Sequence, residues 1–324
     1  MDWPTPTLAD VFRARAAIAP YLKPTPTLEP PALGEALGCR AFLKCENLAP
    51  TGAFKVRGGI NLIASLSIEE RARGVLAVSS GNHAQSIAYA ARLFHARATI
   101  YMPADANPVK VAATRALGAE VVHVGRDYDE AREAAEAFAA QTGMRYIHSA
   151  NEPLLIAGVA TAALELLEAA PDLEVIFVPI GAGSGAIGAS VVARAVNPAI
   201  RVIGVQAEGA PAVYRSWKER RRITTPTIET FAEGLATREP FELPLALLPK
   251  LIDEIMLVSD EEIKAAIRVL IETTRQVAEG AGAATTAAAF KRRSEFASKR
   301  VGLMLSGGNI TTDQLRQILD RNPR

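Results

Sequence analysis

The chain has 324 residues, 49% of them apolar and 22% charged, and Lys+Arg 36 against Asp+Glu 35 leaves a net charge of +1. At roughly 100–200 residues per domain, this length predicts two domains and a core that needs no disulfide staples. The balanced charge excludes a basic footprint for nucleic acid or anionic lipid. The two cysteines, Cys39 and Cys45, read as free thiols of a reducing compartment. The start Met1-Asp2-Trp3-Pro4 does not read as a signal peptide, and the most apolar stretch, 154–164, is far short of the ~18–20 residues of a bilayer span. A cytoplasmic protein with no nucleic-acid and no membrane partner is expected.

In chain order, residues 75–79 read as a strand and 83–94 as a helix. A strand at 98–102 is followed by a helix that Asn107 caps and Pro108 opens. A strand at 120–124 and an Ala/Glu helix at 129–140 come next. A strand at 174–179, a glycine-rich turn with a helix running to Val196, and a strand at 201–206 continue the alternation. Strands separated by helices need crossover connections, so the fold class is α/β with mainly parallel sheets. Ser67-x-x-Glu70, Ser259-x-x-Glu262 and Thr311-x-x-Gln314 have capping-box spacing and mark helix starts. Residues 218–248, rich in Pro, Thr and charge, are expected to form a long irregular loop or lid. The alanine-rich tract 281–289 reads as close-packed helix.

Four stretches carry chemistry. In Thr51-Gly52-Ala53-Phe54-Lys55-Val56-Arg57-Gly58-Gly59, Lys55 stands between Phe and Val in a turn that enters a helix. Burial disfavours an ammonium, and a neutral lysine amine is a nucleophile that forms Schiff bases. A snorkelling surface lysine is an equal alternative on this segment alone. Ser79-Ser80-Gly81-Asn82-His83 lies at a strand end and a helix start, where N–H groups and two hydroxyls suit a carboxylate. By itself a plain N-cap turn explains it more simply, and His83 alone reads as a packed or solvated histidine. Gly181-Ala182-Gly183-Ser184-Gly185-Ala186-Ile187-Gly188 is a glycine-rich strand-to-helix loop, suited to a phosphate. Within it, Gly183-x-Gly185-x-x-Gly188 also fits the dinucleotide fingerprint, which wants an acid ending the next strand; Gln206 is there, with Glu208 just past it. Ser306-Gly307-Gly308-Asn309 places a hydroxyl at the end of a last strand, where open α/β sheets hold ligands.

Taken in this order, the four stretches closely resemble the pyridoxal-phosphate enzymes of fold type II, the tryptophan synthase β-like superfamily. Within it the chain resembles the serine/threonine dehydratases and serine racemases, over essentially its whole length. Ala53-Phe54-Lys55-Val56-Arg57-Gly58-Gly59 matches the family's lysine motif, with Gly59 for the usual Ala. Ser79–His83 match the "S-x-G-N-H" loop, Gly181–Ser184 a tetraglycine loop with Ala and Ser at two positions, and Ser306–Asn309 the "S-G-G-N" motif in full. The resemblance implies pyridoxal 5'-phosphate as cofactor, with Lys55 as its Schiff-base lysine and Phe54 packed near its ring. It implies Asn82 on the ring's 3-oxygen, Gly181, Ala182, Gly183, Ser184 and Gly185 on the phosphate, and Ser306 on the pyridine nitrogen. Glu279 would stand at the ring edge and Gly234 over the ring, while Ser79, Ser80, Gly81, Asn82 and His83 would bind the substrate carboxylate.

The activity implied is dehydration and deamination of a β-hydroxy amino acid such as L-threonine or L-serine to a 2-oxo acid and ammonia. The alternatives are a serine racemase, because Ser80 stands where racemases carry their second acid/base, and an ammonia-lyase for threo-3-hydroxyaspartate or phenylserine. A nicotinamide dehydrogenase built on Gly183–Gly188 is the alternative of a different class. Where racemases and some dehydratases hold a divalent cation between Glu and Asp, this chain has Gln206 and Ala212, so no metal is expected. Two domains are expected: a large one from 1–65 and 153–324, and a small mobile one, 74–151, carrying Ser79–His83 on its sheet edge. The cofactor would lie in the cleft between them, and a homo-oligomer, dimer or tetramer, is expected.

Overall fold

The computed structural model describes residues 3–126 and 128–320; the start at Met1-Asp2 lies outside them. Among the described residues there are ten strands: β1 Thr27–Leu28, β2 Arg40–Cys45, β3 Val75–Val78, β4 Ala98–Met102, β5 Glu120–His123, β6 Arg145–Tyr146, β7 Val175–Pro179, β8 Arg201–Ala207, β9 Glu254–Val258 and β10 Arg300–Leu305. They form a six-stranded sheet, β1-β2-β10-β7-β8-β9, and a four-stranded sheet, β5-β4-β3-β6. Every pairing is parallel except β1 with β2.

Both sheets are covered on two faces, and strand alternation sorts the core accordingly. In β7, Val175 and Phe177 join one cluster with the helices Asp260–Thr274 and Gly280–Lys291. Ile176 and Val178 join another, under the helices Pro153–Ala169 and Ser184–Val196. In β3, Val75 and Ala77 face one side of the small sheet, and Leu76 and Val78 the other. Reciprocal capping boxes at Ser67/Glu70, Ser259/Glu262 and Thr311/Gln314 start helices as the spacing predicts. Another, Thr7/Asp10, starts the first helix.

Two expectations need correction. The stretch 218–248 is not irregular to its end, because a helix runs over Glu242–Leu251. Pro244 falls in its first turn, where a missing N–H leaves no intrahelical acceptor unsatisfied. The Ser79–His83 loop is not on an edge strand either: β3 lies between β4 and β6, and the loop leaves its carboxyl end.

Behind the helix Lys55–Ala64 lies a buried ion network. Arg57 donates to Glu46 (2.7 and 2.8 Å) and to Glu165 (2.6 and 2.7 Å). Lys44 donates to Glu165 (2.5 Å) and to the Thr25 carbonyl (2.7 Å), and the Thr25 hydroxyl donates to Glu46 (2.6 Å). Such charges tolerate burial because each is paired and hydrogen-bonded. The network ties β2, the lysine-bearing helix and the helix Pro153–Ala169 together two residues beyond Lys55. Gly59 is explained nearby: a Cβ there would stand 2.4 Å from the Ser86 hydroxyl, which itself donates to the Lys55 carbonyl (2.7 Å).

Candidate active site

Parallel sheets collect ligands outside the carboxyl ends of their strands. Here β3 ends in Ser79–His83, β7 in Gly181–Ser184 and β10 in Ser306–Asn309. The chain before Lys55 is stitched to the last of these: Phe54 N–H donates to the Ser306 carbonyl (2.9 Å), and Ala53 bridges Gly307. One cavity of about 550 Å3 results. All the residues that the resemblance assigns to cofactor or substrate line it: Phe54 and Lys55, Ser79 to His83, Gly181 to Gly185, Gly234, Glu279 and Ser306.

Lys55 opens its helix, so its side chain leaves the first turn towards the cavity. Nζ donates to the Ser184 hydroxyl (2.9 Å) and reaches the Ser149 carbonyl (3.5 Å). It lies 5.5 Å from the centre of the Phe54 ring. Burial lowers its pKa to about 8, so a free amine is accessible near neutrality. The loop Gly181–Ser184 turns through a left-handed Gly183 (φ +99°) into the helix Ser184–Val196. The first helical bond runs from Ile187 N–H to the Gly183 carbonyl, which leaves the preceding N–H groups without an intrahelical acceptor. Such a terminus suits a phosphate. A Cβ on Gly181 would sit 2.1 Å from the Gly234 carbonyl, so the cradle closes only around glycine.

On the opposite wall, Asn82 Nδ2 donates to Glu279 Oε1 (2.7 Å). Burial pushes the Glu279 carboxyl up to about 7, against the lowering pull of that hydrogen bond. His83 is buried, and Nε2 lies 3.3 Å from the Ile147 carbonyl. Burial, then the charge of Lys55, lower its pKa to about 3, so it stands neutral as a packed residue. His148 accepts from the N–H groups of Ala150 and Asn151 (3.0 Å each) and packs edge-on against Phe241.

Sequence reasoning missed the mouth of the cavity. Lys110 pairs with Glu233, and Arg238 with Asp129 (2.9 Å); all four line the opening, and each pair joins the 228–241 loop to a helix of the four-stranded unit. It missed the Ser149 carbonyl too, since a backbone acceptor has no residue-type signature. Gln206 is away from the cavity. It is fully buried, and Oε1 accepts from Tyr214 N–H (2.9 Å) in the first turn of the helix Ala212–Glu219, so it is not offered to a ribose. Among the described residues no group of three or more His, Cys, Asp or Glu could hold a metal ion.

These features fit pyridoxal phosphate: a lysine of lowered basicity, an N–H loop for a phosphate, and Ser306 line one cavity. Comparison with known proteins agrees. Residues 18–307 match the family described as "Pyridoxal-phosphate dependent enzyme". An L-threonine ammonia-lyase of Thermotoga maritima is 41% identical over 315 residues, which are 97% of this chain and 78% of the relative. An L-threo-3-hydroxyaspartate ammonia-lyase of Saccharomyces cerevisiae is 37% identical over 94% of both chains. The structure of maize serine racemase superposes with a TM-score of 0.92 at 32% identity, over 98% of this chain and 97% of that one.

Proposed function

The chain belongs to the pyridoxal-phosphate dependent enzyme family, and on that premise we propose that it is an ammonia-lyase for a β-hydroxy amino acid, L-threonine or L-serine. One observation carries the reading: Lys55 Nζ, depressed to about 8, opens into the same cavity as the Ser79–His83 and Gly181–Ser184 loops. Gly181 to Gly185 would hold the phosphate and Asn82, Glu279 and Ser306 the ring, with Phe54 and Gly234 on its flanks. When bound, the cofactor supplies an electron-withdrawing ring conjugated to the substrate amine, which acidifies the α-proton.

The rest falls to this chain's side chains. The Ser79–His83 loop orients the substrate carboxylate at the start of the helix Asn82–Leu93. Lys55 Nζ, as free amine, takes the proton from Cα. The β-hydroxyl then leaves, so that it and the Cα proton taken by Lys55 are lost together as water, and the released enamine tautomerises to an imine that one water hydrolyses to a 2-oxo acid and ammonia. Ser306 offers a hydroxyl where a carboxylate would hold a proton on the ring nitrogen. Charge at Cα is then relieved by loss of the β-substituent rather than stored. A second reading, racemisation, rests on Ser80, which lines the cavity and whose hydroxyl would serve as donor on the face opposite Lys55.

The proposal includes a division of labour: residues 1–65 and 153–324 hold the cofactor, and residues 74–151 close over the substrate and exclude water. The two ion pairs across the mouth support it. We also propose a cytoplasmic homo-oligomer, dimer or tetramer, to be read by light scattering; among the described residues no helix is long and apolar enough to cross a membrane. The deciding assay is 2-oxo acid release from a panel of L-threonine, L-serine, threo-3-hydroxyaspartate and phenylserine, with chiral analysis of recovered substrate. Release from L-threonine or L-serine at the highest kcat/KM supports the reading. Racemisation outrunning release with every substrate would overturn it.

A further inference from the structure

Asn309 belongs to the last motif but touches neither Lys55 nor the phosphate loop. Its Nδ2 donates to the Thr51 carbonyl (2.8 Å) and to Asn82 Oδ1 (2.7 Å). A carbonyl only accepts, so Thr51 decides which end of the Asn309 amide faces inward. That choice passes along the chain of bonds. The oxygen of Asn82 is taken by Asn309, so its NH2 group must point the other way. There one N–H meets Glu279 Oε1 (2.7 Å), and the group carries a second N–H at the cavity wall that Asn82 lines.

The reversed amide would set the Asn82 oxygen against the Glu279 carboxyl and its NH2 against the NH2 of Asn309. The meeting of the two NH2 groups opposes that state whatever the charge of Glu279, and the carboxylate form of Glu279 adds a second like contact. The seat of Asn309 is itself close-fitting. Gly52 adopts a left-handed conformation (φ +68°), and a Cβ there would stand 2.4 Å from Asn309 Oδ1. Gly308 N–H donates to the Gly52 carbonyl (2.9 Å). Asn82 follows β3 of the four-stranded sheet, whereas Asn309 follows β10 of the six-stranded one, so the relay also joins the two sheets across the cleft.

We propose that Asn309 is a positioning residue that fixes the amide of Asn82 so that N–H donors, not an oxygen, face an anionic ring oxygen of the cofactor. This rests on the reading that Asn82 lies against the cofactor. Asn309→Asp keeps the shape but removes both donors. Its carboxylate accepts from Asn82, which then turns its oxygen to the cavity. Asn309→Ala removes the guide without reversing it.

The test uses the full chain stripped of cofactor. Fluorescence titration gives the affinity for pyridoxal phosphate, and the pH dependence of the bound cofactor's visible spectrum reports the charge state of its ring oxygen. Circular dichroism checks that each variant is folded. Asn309→Asp should bind at least tenfold more weakly, about 1.4 kcal/mol, with a shifted spectral pH profile; Asn309→Ala should lose two- to fivefold. In an Asn82→Ala background, Asn309→Asp should add nothing. If Asn82→Ala itself leaves affinity and spectrum unchanged, the placement of Asn82 fails. If Asn82→Ala weakens binding while Asn309→Asp matches the parent, or adds its full effect to that of Asn82→Ala, the relay is refuted.

Discussion

Replacing Arg57 by Met takes six hydrogen bonds out of the interior, four of them to carboxylate oxygens of Glu46 and Glu165. Arg57 is 1% exposed and Glu46 0%, so water does not replace the lost partner. Glu165 keeps Lys44 at 2.5 Å, but Glu46 keeps only the Thr25 hydroxyl and Lys44 at 4.0 Å. Removing one member of such a group strands a buried charge, at about 3–5 kcal/mol. Melting of the protein should then fall by roughly 6–20 °C, at about 2–4 °C per kcal/mol for a large domain. Urea denaturation of parent and variant, both without cofactor, measures the loss. Adding Glu46→Gln to the Met variant should recover part of it, since Glu46 is the carboxylate left without a close cation. The pH dependence supplies a sign. Burial alone would raise the Glu165 carboxyl, but the hydrogen bonds and charge of Arg57, with those of Lys44, hold it below its usual value near 4.5. A depressed folded pKa contributes stability above the unfolded value that is lost as the pH falls through the folded one. The gap between parent and variant should therefore narrow on acidification below about pH 4.5. A Met variant within about 1 kcal/mol of the parent at neutral pH would refute the stranded-charge reasoning.

Lys55→Ala should abolish both turnover and the covalent, borohydride-fixable attachment of cofactor; peptide mapping that finds the fixed cofactor on Lys44 or Lys110 would sink the assignment. Capture of cofactor by the stripped protein should quicken as the pH rises through about 8, where Lys55 loses its proton, and level off above it; stopped-flow absorbance that is flat from pH 6 to 9 contradicts this. Ser80→Ala should remove any racemisation while leaving L-threonine dehydration within about tenfold, or about 1.4 kcal/mol of barrier, read by chiral chromatography beside kcat. Neutralising the mouth with Glu233→Gln and Asp129→Asn should raise KM more than it lowers kcat, and should flatten the salt dependence of KM; an unchanged KM at low salt counts against closure by these pairs.

Of the motifs that could be read from the sequence, three sit directly after a strand and the fourth, that of Lys55, opens a helix after the turn at 49–54; all four carry their own residue types. Lys55, Asn82, Gly183 and Ser306 are therefore local signals, and parallel topology brings them together. What escaped depends on distant partners. The helix Glu242–Leu251 was masked by two prolines, one in its first turn and one, Pro249, near its end. Gly59 departs from the family's usual Ala because Ser86, distant in sequence, fills the space a Cβ would need. The pairing of Arg238 with Asp129 and of Lys110 with Glu233 joins ordinary surface charges whose only distinction is where the fold delivers them.

The order of strands has a consequence for how the molecule is made. The four-stranded sheet uses β3 to β6, one uninterrupted run of chain, so its contacts are available as soon as that run has been synthesised. The six-stranded sheet is different, because β10 lies between β2 and β7 and pairs Met304 with Lys44. Until the last strand leaves the ribosome, β2 has only the two-residue β1 beside it, with Phe42 and Leu43 awaiting cover. Contacts between such distant parts of a chain form late and slowly, because loop closure must come first. The nascent protein should thus hold a finished small unit and an open large one, and the exposed edge of β2 is the natural place for a chaperone to bind or for aggregation to begin.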